Sequence, residues 1–126
     1  MKFIKIIPDY SCTGLYVIQN HKFYEPLDLD SDFLLLPDSL KHKIADWQNK
    51  FDKTLDQDRP QDSCFATIED EDNFEKTGIQ IWRELITLFP NDKTSYFSIK
   101  SHKLYATVTD YLNDFPKYKT ELQELI

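Results

Sequence analysis

The sequence predicts an α+β fold, a single domain over residues 1–126 in which an antiparallel sheet carries two main helices on one face, followed by a C-terminal helical segment. Three observations lead there. Short alternating β-branched runs stand near the start of the chain and again around residue 100, two long stretches repeat apolar residues at steps of three and four, and 126 residues suffice for one core. A chain of that length buries roughly two-thirds of the surface it exposes when unfolded. With 40% hydrophobic residues, including nine Phe, seven Tyr and two Trp, the composition is that of a folded protein despite a net charge of −7.

"KFIKIIP" alternates Phe3 and Lys5 with Ile4 and Ile6, which suits a strand closed by Pro8. A turn through Asp9 to Gly14 leads to a second strand, "GLYVIQ", and "HKFYEPLDL" reads as a third, bounded by Asn20-His21 and Pro26. The first pairing is expected to be antiparallel, because its connection is too short for a helical crossover. After Pro37, with Asp38 or Ser39 as cap, Leu40, Ile44, Trp47, Phe51 and Leu55 form one helix face. Asp56–Ser63, rich in Asp and Gln with Pro60, is a loop.

A second helix starts near Thr67, which with Asp70 resembles a capping box with Asp in the Glu place, and it ends before Pro90. Its apolar positions are Phe74, Ile81, Trp82, Leu85, Ile86, Leu88 and Phe89. Gly78 lies on the same stripe, where glycine costs about 1 kcal/mol, and this points to close packing against a neighbour. Thr94–Lys100 and Lys103–Val108 are strand-like halves split at Ser101-His102. Tyr111, Leu112, Phe115, Tyr118, Leu122 and Leu125 then recur at helical spacing, broken around Pro116, so residues 101–126 read as a hairpin and helix extension.

The charge is unevenly spread. "LDQDRPQDSCFATIEDEDNFE" holds eight carboxylates against one base, Arg59, leaving 14 acids to 14 bases elsewhere. A helix dipole accounts for Glu69–Asp72 without a partner, but less well for Asp56, Asp58 and Asp62. A focused negative field speeds encounter with a basic partner and discriminates against acidic ones. The candidate partner-binding residues are therefore Asp56, Asp58, Asp62, Glu69, Asp70, Asp72 and Glu75.

Other chemistry finds little support. "DLDSDF" from Asp28 has the first, third and fifth carboxylates of a calcium loop, but Phe33 and Ser39 stand where Gly and Glu are needed. His21, His42 and His102 are scattered, and Cys12 and Cys64 form no C-x-x-C pair, so no metal is expected and the cysteines read as reduced thiols. Two glycines, Gly14 and Gly78, exclude a P-loop or a dinucleotide fingerprint, and no cofactor is expected. Direct nucleic-acid binding is disfavoured by the net charge, and Asp46 and Asp52 interrupt Lys41, Lys43, Lys50 and Lys53. Lys5 and Pro8 interrupt the apolar start "MKFIKIIPDY", and no run approaches the roughly 18 apolar residues of a membrane span, so a cytoplasmic location is expected.

The motifs "PDYSCTGLY" (Pro8–Tyr16), "W…FDKTLDQDRPQDSCF" (Trp47 to Phe65) and "F…G…IWREL" (Phe74 to Leu85) resemble a family of small bacterial immunity proteins of polymorphic and contact-dependent growth inhibition toxin systems. Trp47, Phe51, Leu55 and Gly78 match its pattern, Cys64 stands where glycine is expected, and the likeness covers about residues 1–100. The resemblance implies a cytosolic protein that binds and neutralises the toxin domain of its own system, a basic nuclease in many such systems, through a surface and without catalytic residues. Two other readings stay open: a small enzyme using Asp58, Asp62 or Cys64 in a cleft between sheet and helices, and an acidic mimic of nucleic acid.

Overall fold

Alternation of side chains decides which way each strand faces. In the computed structural model, which describes residues 2–10, 13–18, 29, 34–55, 58 and 64–125, β1 (Phe3–Ile6), β2 (Leu15–Ile18), β3 (Lys93–Phe97) and β4 (Leu104–Tyr105) form a sheet of order β2-β1-β3-β4. β1 and β2 pair antiparallel, Ile4 opposite Val17 and Ile6 opposite Leu15, as the short connection requires. β3 and β4 are also antiparallel, Tyr96 opposite Tyr105. The central pair departs from the expected wholly antiparallel sheet: β1 and β3 run parallel, with Ile4 beside Thr94 and Ile6 beside Tyr96. Two helices lie between the first hairpin and β3, and a crossover of that length lets the chain return in the same direction. The strand expected over residues 21–29 lies outside the described residues apart from Leu29.

These registers put Ile4, Ile6, Leu15, Val17, Thr94 and Tyr96 on one buried face. Phe3, on the other face, is exposed, and Lys5, Tyr16 and Ser95 are half-buried, so the helices cover one side.

α1 (Asp38–Asp52) turns Leu40, Ile44 and Trp47 inward, with Phe51 half-buried and Leu55 beyond the helix end. Neither Asp38 nor Ser39 is the cap. Pro37 takes that position with no side-chain bond, its carbonyl accepting from the Leu40 and Lys41 amides at 3.0 Å, and Asp38 sits in the first turn where the dipole favours it. The Trp47 ring stacks on Phe74 at 4.7 Å, and its Nε1 donates to the Phe74 carbonyl at 3.1 Å, which locks α1 to the next helix. Gln48 is buried among the apolar residues. Its amide donates to the Asp9 carbonyl and to Asp52, tying α1 to the turn after β1. In that turn Gly14 takes φ +72°, and a Cβ there would lie 2.7 Å from Gln48 Oε1, so glycine serves both the left-handed backbone and the close approach.

α2 (Ile68–Leu88) is the central element, packed against α1, β3 and a later helix. Trp82 Nε1 donates to the Thr94 carbonyl at 3.0 Å and pins α2 to the sheet. Ile79 is fully buried although it stands outside the expected stripe, because α2 is covered from more than one side. Gly78 packs closely, as its place on the stripe predicts: a Cβ there would meet the Tyr96 hydroxyl at 2.5 Å and its ring at 2.9 Å.

After β4 come α3 (Val108–Asp114), a 3-10 turn from Pro116 to Tyr118, α4 (Lys119–Leu122) and a last 3-10 turn to Leu125. α3 stops before Pro116, whose ring suits the first position of the new turn. Tyr111, Tyr118 and Leu122 are buried in the same core as α2, and Arg83 Nη1 donates to the Glu121 carbonyl at 3.2 Å, so this segment completes the core. Gly78→Ala is expected to cost about 1–3 kcal/mol by forcing Tyr96 aside, read as a lower urea midpoint at unchanged slope.

Candidate functional site

The acids of α2 divide by helical turn. Thr67, extended at φ −137°, is the N-cap, and its Oγ1 accepts from the Asp70 amide at 3.0 Å. Glu69 and Asp70 follow in the first turn, where the helix dipole favours negative charge, and both are exposed. Among the described residues neither has an ion-pair partner. Asp58 is also exposed, while Asp56 and Asp62 lie outside the described residues.

Asp72 stands differently. Lys100, from the β3–β4 turn, pairs closely with it, Lys117 reaches it at 3.3 Å, and the Tyr118 hydroxyl donates at 3.5 Å. The hydrogen bond from Lys100, then that from Lys117 with the charge of both lysines, holds the Asp72 carboxyl below its ordinary value, outweighing partial desolvation. Lys100 also lies 3.6 Å from Glu71. Burial lowers the Lys100 pKa, but the bond to Asp72 and the charges of Asp72, Glu71 and Glu75 raise it by more.

Glu75 does not face solvent at all. It is fully buried, and its carboxyl accepts from Ser98 Oγ at 2.6 Å, the Tyr111 hydroxyl at 2.9 Å and the Tyr96 hydroxyl at 3.1 Å. Ser98 Oγ in turn accepts from the Lys100 amide at 3.1 Å, so the hairpin turn hangs on the same carboxyl. Burial pushes Glu75 up and the three hydrogen bonds pull it down, with burial the stronger. Tyr96 and Tyr111 are pushed up, first by burial and then by the charge of Glu75. Of the seven acids the sequence singles out, the structure thus leaves Asp58, Glu69 and Asp70 exposed, binds Asp72 to two lysines and places Glu75 inside. No pattern in the sequence distinguishes Glu75 from its neighbours, except that it falls three residues before Gly78 and seven before Trp82, on the inward stripe.

Cys64 is an exposed free thiol. It borders a groove of about 330 Å³ whose lining includes His102, but among the described residues no hydrogen bond joins the two. No group of three or more His, Cys, Asp or Glu able to hold a metal ion is found among the described residues. No helix among them is long and apolar enough to cross a membrane.

The position of Glu75 predicts a pH dependence of stability. A carboxyl raised by folding contributes fully below its ordinary value of 4.5, and that contribution fades as pH rises through the folded value. Glu75→Gln, whose NH2 group takes the place of one carboxyl oxygen and so faces either the Tyr96 hydroxyl or those of Ser98 and Tyr111, is expected to cost about 1–3 kcal/mol in acid. The gap to wild type should narrow as pH rises. Asp72 acts in the opposite sense, losing its contribution as pH falls below 3.8, so urea midpoints taken from about pH 4.5 to about pH 8 separate the two.

No curated protein matches the chain. A family model described as Serratia CdiI immunity protein-like matches residues 2–113, which takes in all four strands, α1, α2 and all but the last residue of α3. The matched span includes Trp47, Gly78, the buried Glu75 with its three donors, and the exposed acids at the start of α2. With that much of the fold inside the match, the chain belongs to the Serratia CdiI immunity protein-like family.

Proposed function

We propose that the chain is the immunity protein of a contact-dependent growth inhibition system, and that in the cytoplasm it binds and neutralises the toxin domain of its own system. Family membership over residues 2–113 is the observation that carries this reading. The toxin-facing residues we assign are the exposed acids Asp58, Glu69 and Asp70; Asp56 and Asp62, which the sequence groups with them, lie outside the described residues. Asp72 and Glu75 are left out, because their carboxyls are engaged by Lys100, Lys117 and the buried hydroxyls. The partner chemistry that suits these acids is a basic domain, as a nuclease has in order to hold phosphates. An acidic protein covering a basic cleft needs no catalytic group of its own, and the charge contributes chiefly to the rate of encounter.

Co-production with the toxin domain encoded beside it is expected to rescue growth, and the purified proteins are expected to form a complex. Absence of both would sink the reading. Binding to several unrelated basic proteins with similar affinity would point instead to a general mimic of nucleic acid. Neutralising Asp58, Glu69 and Asp70 together (Asp→Asn, Glu→Gln) is expected to slow association roughly tenfold at low ionic strength and to flatten its salt dependence. Folding should survive, since loss of the dipole interaction costs about 0.3–1 kcal/mol per acid and the cap uses the Asp70 backbone. Association rates at two ionic strengths check it.

A further inference from the structure

An apolar seam adjoins the acidic start of α2. Ile68 is 78% exposed, Cys64 and Ala66 are exposed, and Phe65 between them is half-buried with its ring 5.0 Å from that of Phe74. Cys64 and Phe65 border two grooves. One, of about 450 Å³, lies between the end of α1 and the start of α2, with Phe65, Ala66 and Phe74 in its lining. The other, of about 330 Å³, runs toward the β3–β4 turn and is lined by Tyr10, Phe51 and Ile99 among others. A single exposed Ile is ordinary on a soluble protein, but this one follows by three residues Phe65, which borders both grooves, and by two Ala66, which lines the larger.

The banks of the larger groove carry opposite charges: Asp70 on the α2 side, and Lys50 and Lys53 on the α1 side. Glu69 directly follows Ile68, and Glu71 lines the smaller groove. An interface built this way has an apolar centre that supplies most of the affinity and a charged rim that sets rate and orientation. A wholly acidic partner would be repelled by Glu69 and Asp70, and a wholly apolar one would bury them without counter-charges.

Resting on the immunity reading above, we propose that this seam anchors the toxin: the groove beside Phe65 receives an apolar side chain of the toxin domain, flanked there by a Lys or Arg that meets Glu69 and Asp70. The acids are then the rim of the contact and the Cys64–Ile68 segment its centre. The α1 lysines fix the direction in which the toxin segment lies, because its basic residue is accepted only toward α2.

The test uses the purified toxin domain encoded beside the chain and two variants at exposed positions, Ile68→Ser and Ala66→Arg, each shown to keep the wild-type urea midpoint. Both are expected to weaken Kd at least about tenfold through faster dissociation, and the uncharged Ile68→Ser is expected to do so with the salt slope unchanged. Leu35→Ser, at another exposed apolar residue, is expected to stay within about twofold of wild type. If wild type binds and both seam variants bind equally well, the anchor is overturned while the immunity reading stands. If wild type does not bind the domain, the immunity reading fails and takes the anchor with it. If Ile68→Ser instead abolishes self-association of the chain and leaves toxin binding intact, the seam is a contact between copies, and the proposal is overturned.

Discussion

A carboxyl sealed inside an apolar core must be met by donors, and the meeting of Glu75 with Tyr96, Ser98 and Tyr111 is the constraint on which the rest of this fold turns. It joins α2 to β3, to the hairpin turn and to α3 at one point. The aromatic rings around it are arranged accordingly: Trp82 stacks on Tyr96 at 5.5 Å, and Tyr111 stands edge-on to both. Gly78 belongs to the same arrangement, since only a residue without a side chain lets the Tyr96 hydroxyl come so near the helix and reach the carboxyl one turn back. Nearer the N-terminus of α2, Asp72 gathers Lys100 and Lys117, so the hairpin turn and the C-terminal segment are fastened to α2 twice, once by hydroxyl hydrogen bonds to Glu75 and once by ion pairs to Asp72.

This division gives the helix two trades along its length. Its first turn presents Glu69 and Asp70 to solvent beside an apolar seam, and from Asp72 onward the acids are committed to holding the chain together. A protein whose proposed work is to cover another protein gains from that separation. In that reading the outward residues meet the partner while the inward ones keep the backbone of the first turn where it is.

The parts of the fold legible in the sequence are those that local physics decides. The spacing of Leu40, Ile44 and Trp47, the Thr67 cap and the alternation in Phe3–Ile6 each mark their elements, and Gly78 announced a close neighbour without naming it. The parallel pairing of β1 with β3 was not legible, because two strands of alternating pattern look alike whichever direction they pair, and only the intervening helices decide. Pro37 displaced Asp38 as the cap because a cap is a backbone conformation before it is a side chain. Asp72 and Glu75 read as surface acids because composition counts charges, whereas their lysine and hydroxyl partners lie between 21 and 46 residues away along the chain. The excess of acids between Asp56 and Glu75 was legible as charge, not as a geometry.

The parallel pair at the centre of the sheet governs how the chain assembles. Ile4 and Thr94 are neighbours across a stretch that holds both α1 and α2, so the whole of it must be folded back to bring β3 beside β1. Contacts so distant along the chain are won late, since the entropy of closing the loop is lost before any of them forms. The helices are built from near neighbours, whereas closure of the sheet and burial of the tyrosine cluster against Glu75 rest on contacts distant along the chain. An unpaired β1 or β3 presents an open edge to other chains, so closing the centre of this sheet is as much a protection against wrong partners as a source of stability.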